Sequence, residues 1–401
     1  MTFDVASFRA HFPSLLSGIA HFDGPGGTQT PSVVGQAVAT TMTGPLSIRG
    51  TSVASDRNAE AVVVAFRAAY ADLLGVPAGG IVHGRSATQL TYDLSRVLAK
   101  GWGPGDEIVV TQLDHDANVR PWVQAAEQVG ATVRWLPVDP VTADLDLSTL
   151  DEIITERTRL VAVTAASNLL GTRPDVEGIA ARAHAVGALV HVDGVHQAAH
   201  ASVDLARSGA DFLVCSPYKF FGPHSGVLAA DPALLETLHP DKLLPSTDDV
   251  PERFELGTLP YELLAGATAA VDFIAGIAPA VGSRRDRLEV AKRVMEEHEL
   301  RLRGRIEDGM TELGGAVVAH SVAAERTPTL LYTFPGHDLV DIHRFLAGRD
   351  ILVPVGGFYA HELVRALDLD GHAGLRIGLA PYNDDHDVDR LLTGITDALG
   401  G

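Results

Sequence analysis

Lys219 sits in the run Val214-Cys215-Ser216-Pro217-Tyr218-Lys219-Phe220-Phe221-Gly222-Pro223, and Asp193 closes the apolar run Leu189-Val190-His191-Val192 upstream of it. A lysine flanked by aromatic rings is partly desolvated, which lowers its pKa and leaves the amine able to attack a carbonyl. A carboxylate at the end of a buried strand can keep a heterocyclic nitrogen protonated. Together the two groups suit pyridoxal phosphate: the amine condenses with the cofactor aldehyde and the carboxylate makes the pyridine ring an electron sink.

Further polar residues follow strand-like runs, where ligands of open α/β sheets bind. Gly84-Arg85-Ser86-Ala87-Thr88 follows Gly80 to His83 and opens a helix, so its free N–H groups can take a phosphate. Asp114-His115-Asp116-Ala117-Asn118 follows Ile108 to Thr111, and Ser167-Asn168 follows Val161 to Thr164. Taken singly, each has a plainer reading: Ser86, Thr88, Asp114 and Asp116 as helix caps, His115 as a core or surface histidine, Asn168 and Asp193-Gly194 as turns. Their order at the ends of successive strand–helix units is what favours a site.

The elements that must position them are legible as apolar runs. Glu107 to Thr111, Thr132 to Leu136, Leu160 to Ala165, Ala188 to Val192, Phe212 to Val214 and Gly226 to Ala229 read as strands. Helical spacing appears at Ala61 to Leu73, Ala87 to Leu98, Val119 to Val129 and Val176 to Val186. Continuously apolar strands joined by helices predict a mostly parallel sheet sandwiched by helices. Beyond Pro260 the pattern changes to helices at Ala265 to Ile277 and Arg284 to Leu313, with strands near Thr329 to Thr333 and Leu375 to Leu379. The chain therefore divides into an N-terminal segment, 1–20, that joins the small domain, a large cofactor domain, 21–259, and a smaller α+β domain, 260–401.

At 401 residues, 46% hydrophobic and 20% charged, the chain is globular with room for two cores. A net charge of −20 without clustered Lys and Arg argues against nucleic acid. One cysteine allows no internal disulfide, the first fifteen residues lack a signal-peptide pattern, and no apolar run is long enough for a bilayer. The expectation is a cytoplasmic protein with no membrane partner and no metal site. Gly24-Pro25-Gly26-Gly27 lacks the spacing and the preceding strand of a dinucleotide fingerprint.

The chain closely resembles the class V aminotransferases, and within them the cysteine desulfurase and selenocysteine lyase group. His21-Phe22-Asp23 with Thr28 to Pro31 is similar to the family's opening "LDxAATTxxP", and Asp114 to Trp122 to "EHHSNxxPW". Ser167 to Thr172 resembles "SNVLGT", Val192-Asp193-Gly194 "VDGAQ", Ser216 to Lys219 "SxHK", and Phe254 to Thr258 "FExGT". The resemblance implies a fold type I pyridoxal phosphate enzyme in which Lys219 carries the cofactor and His115 stacks on its ring. Asn168 meets the phenolic oxygen, Asp193 the ring nitrogen, and His196 stands where the family has glutamine. Ser216, Tyr218, Arg85 and Ser86 hold the phosphate. Thr258 reaches the phosphate of a partner in a homodimer with shared active sites, and Arg376 binds the α-carboxylate of a small amino-acid substrate.

Lys219 then removes the Cα proton, a step common to several outcomes. Amino transfer ranks first, with carbon–sulfur β-elimination or epimerisation as alternatives and a cofactor-binding scaffold or regulator without turnover as the non-enzymatic one. The loop Val355-Gly356-Gly357-Phe358-Tyr359-Ala360 has no cysteine where a desulfurase places its nucleophile, and Cys215 reads as a packed core residue. On that ground persulfide-type desulfuration is disfavoured.

Overall fold

The computed structural model describes residues 3–369 and 373–400. A seven-stranded sheet forms the centre, in the order Ile81–Gly84, Gly226–Ala230, Phe212–Cys215, Leu189–Asp193, Thr158–Thr164, Glu107–Thr111, Thr132–Leu136. Gly226–Ala230 runs antiparallel to both neighbours and the other pairings are parallel. Ile108, Val109, Val110, Val161, Ala162 and Val163 are fully buried, as strands covered by helices on both faces require. The chain leaves Glu107–Thr111 for the outer strand and returns on its other side as Thr158–Thr164. This reversal opens a crevice at the carboxyl ends of those two strands.

Helix Ala87–Ala99 starts where Ser86 accepts a hydrogen bond from the Gln89 N–H at 3.1 Å, and Gly130 in left-handed conformation (φ 76°) ends Arg120–Val129. A second sheet of three antiparallel strands, Val318–Ala319, Thr329–Thr333 and Leu375–Gly378, packs with helices Leu339–Ala347 and Asp385–Ala398 around its own core. Ala20–His21 pairs in parallel with Ile351–Leu352 on this side.

Two long helices tie the halves together. Tyr261–Ala275 packs on Ser32–Thr43 and Ala54–Leu74, so Leu264, Val271 and Ile274 lie in the core of the large sheet. Arg284–Glu312 buries Leu288, Ala291 and Met295 in that core and Leu302, Ile306 and Met310 in the smaller one. Packing thus carries the large-sheet core past residue 260. Near the N-terminus Phe8 and Phe12 pack on Phe221 and Phe273 with ring centroids 5.4–5.7 Å apart. Each such pair adds about 0.5–1.5 kcal/mol beyond area burial. Phe221, two residues after Lys219, is held there with a left-handed backbone (φ 74°), its N–H bonded to Thr28 Oγ1 at 2.8 Å.

Candidate active site

A cavity of about 260 Å³ lies at the crevice, lined by Pro25, Gly26, Ala87, Thr88, His115, Asn168, Asp193, His196, Ser216, Tyr218, Lys219, Phe358, Tyr359 and Arg376. The Lys219 amine donates to the Pro25 carbonyl and lies 4.8 Å from the Tyr218 ring centroid. Burial, reinforced by the Arg376 charge and opposed by Asp193, brings its pKa down to about 7. Asp193 accepts the Val195 N–H at 2.9 Å; burial pushes its carboxyl up to about 6, against the pull of that hydrogen bond and of Lys219.

His115 begins the turn that follows its strand. Its Nδ1 accepts the Ala117 N–H at 3.0 Å, which places the ring proton on Nε2. Burial and the charges of Lys219 and Arg376 lower it to about 4, so it is neutral. Beneath the turn Asp114 is buried between Thr111 and Asn118 and raised to about 8 by burial; Asn118 Oδ1 in turn accepts from Trp122 Nε1 at 3.2 Å and lies 2.8 Å from His191 Nδ1. His196 Nε2 lies 3.0 Å from both Thr327 Oγ1 and Thr329 Oγ1, and burial with neighbouring cations holds it well below the usual histidine range. Tyr218 stacks on His224 at 4.7 Å.

Arg376 enters from the smaller sheet, 2% exposed, and donates from Nη1 to the Asn168 carbonyl at 2.9 Å. Burial lowers it to about 9, with Asp23 opposing, so it stays cationic near neutrality. Asn168 Nδ2 donates to the Phe358 carbonyl at 2.8 Å.

Three of the expected residues lie off this cavity. Ser86 uses its hydroxyl as the helix cap, while Ala87 and Thr88 of the next turn face the cavity instead. Arg85 and Thr258 line a separate space of about 200 Å³ with His83 and His224. Phe358 and Tyr359 are site residues that sequence reasoning noted only for the cysteine they are not.

Asn168 Oδ1 and Arg376 Nε are buried without partners among the described residues, and Asp193 is a buried carboxylate with a single hydrogen bond, from Val195. Such groups need a polar, charge-bearing occupant. Pyridoxal phosphate fits, with a phenolic oxygen, a protonable nitrogen and an aldehyde for the amine. No helix among the described residues is long and apolar enough to cross a membrane.

Comparison with known proteins agrees with this chemistry. The family model for class V aminotransferases matches residues 20–391. An uncharacterized protein of Mycobacterium tuberculosis is 31% identical, covering 98% of both chains, and a cysteine desulfurase of Salmonella agona is 29% identical, covering 99% of this chain and 98% of that one. The structure is similar to that of the cysteine desulfurase CsdA of Escherichia coli (TM-score 0.88, 28% identity, 100% and 99% covered). It also shares the fold of a cysteine desulfurase of Thermococcus onnurineus (TM-score 0.89, 24% identity, 100% and 99% covered). These findings overturn the expectation that persulfide-type desulfuration is disfavoured: it rested on one loop position, whereas proteins named cysteine desulfurase match this chain from end to end. The chain belongs to the class V aminotransferase family, pyridoxal 5'-phosphate enzymes of fold type I.

Proposed function

We propose that this chain removes the sulfur of cysteine, yielding alanine and passing the sulfur to a thiol. The observation that carries this is the convergence of Lys219, Asp193 and Arg376 on one cavity, in a chain similar throughout to cysteine desulfurases. Pyridoxal phosphate, when bound, supplies an aldehyde for the substrate amine and a ring that accepts the electrons of the Cα–H bond. Asp193 would keep the ring nitrogen protonated, and His115, His196 and Asn168 would hold the ring. Ser216, Tyr218 and Thr88, on the same wall, would hold the phosphate. Arg376 binds the α-carboxylate. Lys219, its pKa brought to about 7, is about half free amine at neutral pH, and once released it would take the Cα proton on Nζ.

Arg85 and Thr258, on their own cavity, serve the site of a second copy in this reading. Leu256, on the wall of that cavity, is 59% exposed, and an exposed apolar side chain there is in keeping with a homodimer interface. Amino transfer uses the same groups, and no observation favours it over carbon–sulfur cleavage.

The test is product analysis on protein loaded with pyridoxal phosphate, given cysteine with and without dithiothreitol. Alanine equal to the sulfur released supports the reading; pyruvate with ammonia, or a keto acid without alanine, refutes it. Mass spectrometry of the chain after cysteine reports whether Cys215, fully buried on its strand, gains the sulfur.

A further inference from the structure

The segment Gly356 to Ala360 holds two large aromatic residues in left-handed backbone, Phe358 at φ 48° and Tyr359 at φ 61°. Side chains of that size disfavour this region, so the surroundings must impose it. Both carbonyls are engaged: Phe358 O accepts from Asn168 Nδ2 at 2.8 Å, and Tyr359 O accepts from the Asp116 N–H at 2.7 Å. Of the two rings, Phe358 lies over Arg376 while Tyr359, 78% exposed, stands at the rim of the cavity. The Phe358 ring centroid lies 3.6 Å from Arg376 Cζ, and the Tyr359 ring lies 5.4 Å from His115.

Phe358 leaves Arg376 one way to meet a carboxylate. Nη1 is taken by the Asn168 carbonyl, and one face of the guanidinium is covered by the ring. Nε is buried and unpartnered, and beside Nη2 stands Gly26, where even an added Cβ would lie 3.7 Å away. The Nε/Nη2 edge is therefore the one left without a hydrogen-bond partner among the described residues, and a side-on fork is the geometry for two parallel hydrogen bonds to a carboxylate. Cofactor and substrate must also share about 260 Å³, part of whose wall is the Phe358 ring.

We propose that Phe358 is a specificity-determining residue: it fixes the guanidinium of Arg376 so that only the Nε/Nη2 edge receives substrate, and its ring limits substrates to α-amino acids with short side chains, of cysteine's size. This rests on the reading that Arg376 takes the α-carboxylate.

The test measures equilibrium binding of propionate and hexanoate by calorimetry to protein loaded with pyridoxal phosphate, for the wild type, Phe358→Leu, Phe358→Ala and Phe358→Tyr. Loss of the stacked ring is expected to weaken propionate about 3- to 30-fold in the leucine and alanine variants. The tyrosine variant keeps wild-type affinity. The alanine variant, having lost a benzyl group from the wall, improves hexanoate relative to propionate by about tenfold or more. With cysteine, KM rises in both weakened variants while kcat stays within about twofold, the signature of lost uniform binding. Wild-type propionate affinity in a folded leucine or alanine variant overturns the proposal, as does an unchanged hexanoate to propionate ratio in the alanine variant. Arg376→Gln separates the two readings: if it binds propionate as the wild type does, the carboxylate anchor itself is wrong, whereas silence confined to Phe358 removes only this inference.

Discussion

The amine of Lys219 is brought from 10.5 to about 7, first by burial, then by the charge of Arg376, with Asp193 pulling the other way. At pH 7 about half of it is neutral, against ~0.03% for an unperturbed lysine, so its free-amine population is on the order of 10³ greater. Competitive labelling of cofactor-free protein with limiting acetic anhydride, mapped peptide by peptide across pH, reads this directly. Lys219 should label with a midpoint near 7, and exposed lysines only at much higher pH. Arg376→Gln should move the midpoint up and Asp193→Asn should move it down, because they remove a repelling and an attracting charge respectively. The same depression bears on stability. Between about 7 and 10.5 the unfolded chain binds a proton there that the folded chain does not, so this group's contribution to stability rises with pH over that window and is most unfavourable below it. Cofactor-free Lys219→Met should therefore be more stable than the wild type at pH 6, by at most ~5 kcal/mol before relaxation, with the advantage vanishing above about pH 10.5. A Lys219 midpoint near 10, or equal labelling of Lys219 and surface lysines at pH 7, refutes the reasoning.

Asp193, raised by burial to about 6, costs the cofactor-free fold stability once ionised, and that cost grows as pH rises through the window from about 4 to 6. Cofactor-free Asp193→Asn should thus melt no lower than the wild type at pH 7.5, and the order should reverse when pyridoxal phosphate is present; a variant less stable in both states contradicts this. Glu299 is fully buried on the long helix, 3.1 Å from His200 Nδ1 and close enough to the buried Lys292 amine to favour its charge. Removing it as Glu299→Ala should cost about 3–5 kcal/mol in urea denaturation, because the buried Lys292 amine loses its counter-charge and His200 Nδ1 its hydrogen-bond partner; a loss below about 1 kcal/mol would show the cluster to be neutral. If Thr258 completes the site of a second copy, mixing inactive Lys219→Ala and Thr258→Ala chains should restore activity in the mixed dimers, and a fully active monomer in sedimentation would exclude the shared site.

What could be read from the chain was whatever local pattern encodes. Strands such as Glu107–Thr111 and Leu189–Asp193 are continuous apolar runs because both faces are covered, so their ends, and with them His115 and Asp193, stand out in sequence. Lys219 stood out for its aromatic flanks, and the structure shows that two of them serve other tasks: Phe221 anchors the N-terminal helix, while Phe220 packs beneath Lys292 at 5.6 Å. Ser86 was ambiguous from the start, since a hydroxyl at a helix start can cap the helix or bind a ligand, and the cap geometry shows it engaged with Gln89. The packing of Tyr261–Ala275 on Ser32–Thr43 and Ala54–Leu74 is not legible in sequence, because these partners lie some two hundred residues away and no local pattern records the contact.

The role of the segment Gly356 to Ala360 is hidden from the sequence for a different reason. A missing residue type is not a statement about chemistry, because a loop's sequence does not reveal what its backbone holds. Here the carbonyls of Phe358 and Tyr359 secure Asn168 and the His115 turn, and the Phe358 ring covers Arg376. Left-handed φ at two aromatic residues runs against every propensity, so only the surrounding tertiary contacts specify it. Strain of this kind costs on the order of 1–3 kcal/mol per residue and persists where other contacts over-determine the backbone. It follows that Phe358→Gly should relax the loop while loosening both Arg376 and Asn168. Such a variant would trade backbone strain for lost carboxylate affinity, and a change in affinity without a matching loss of stability is what separates a positioning loop from a merely structural one.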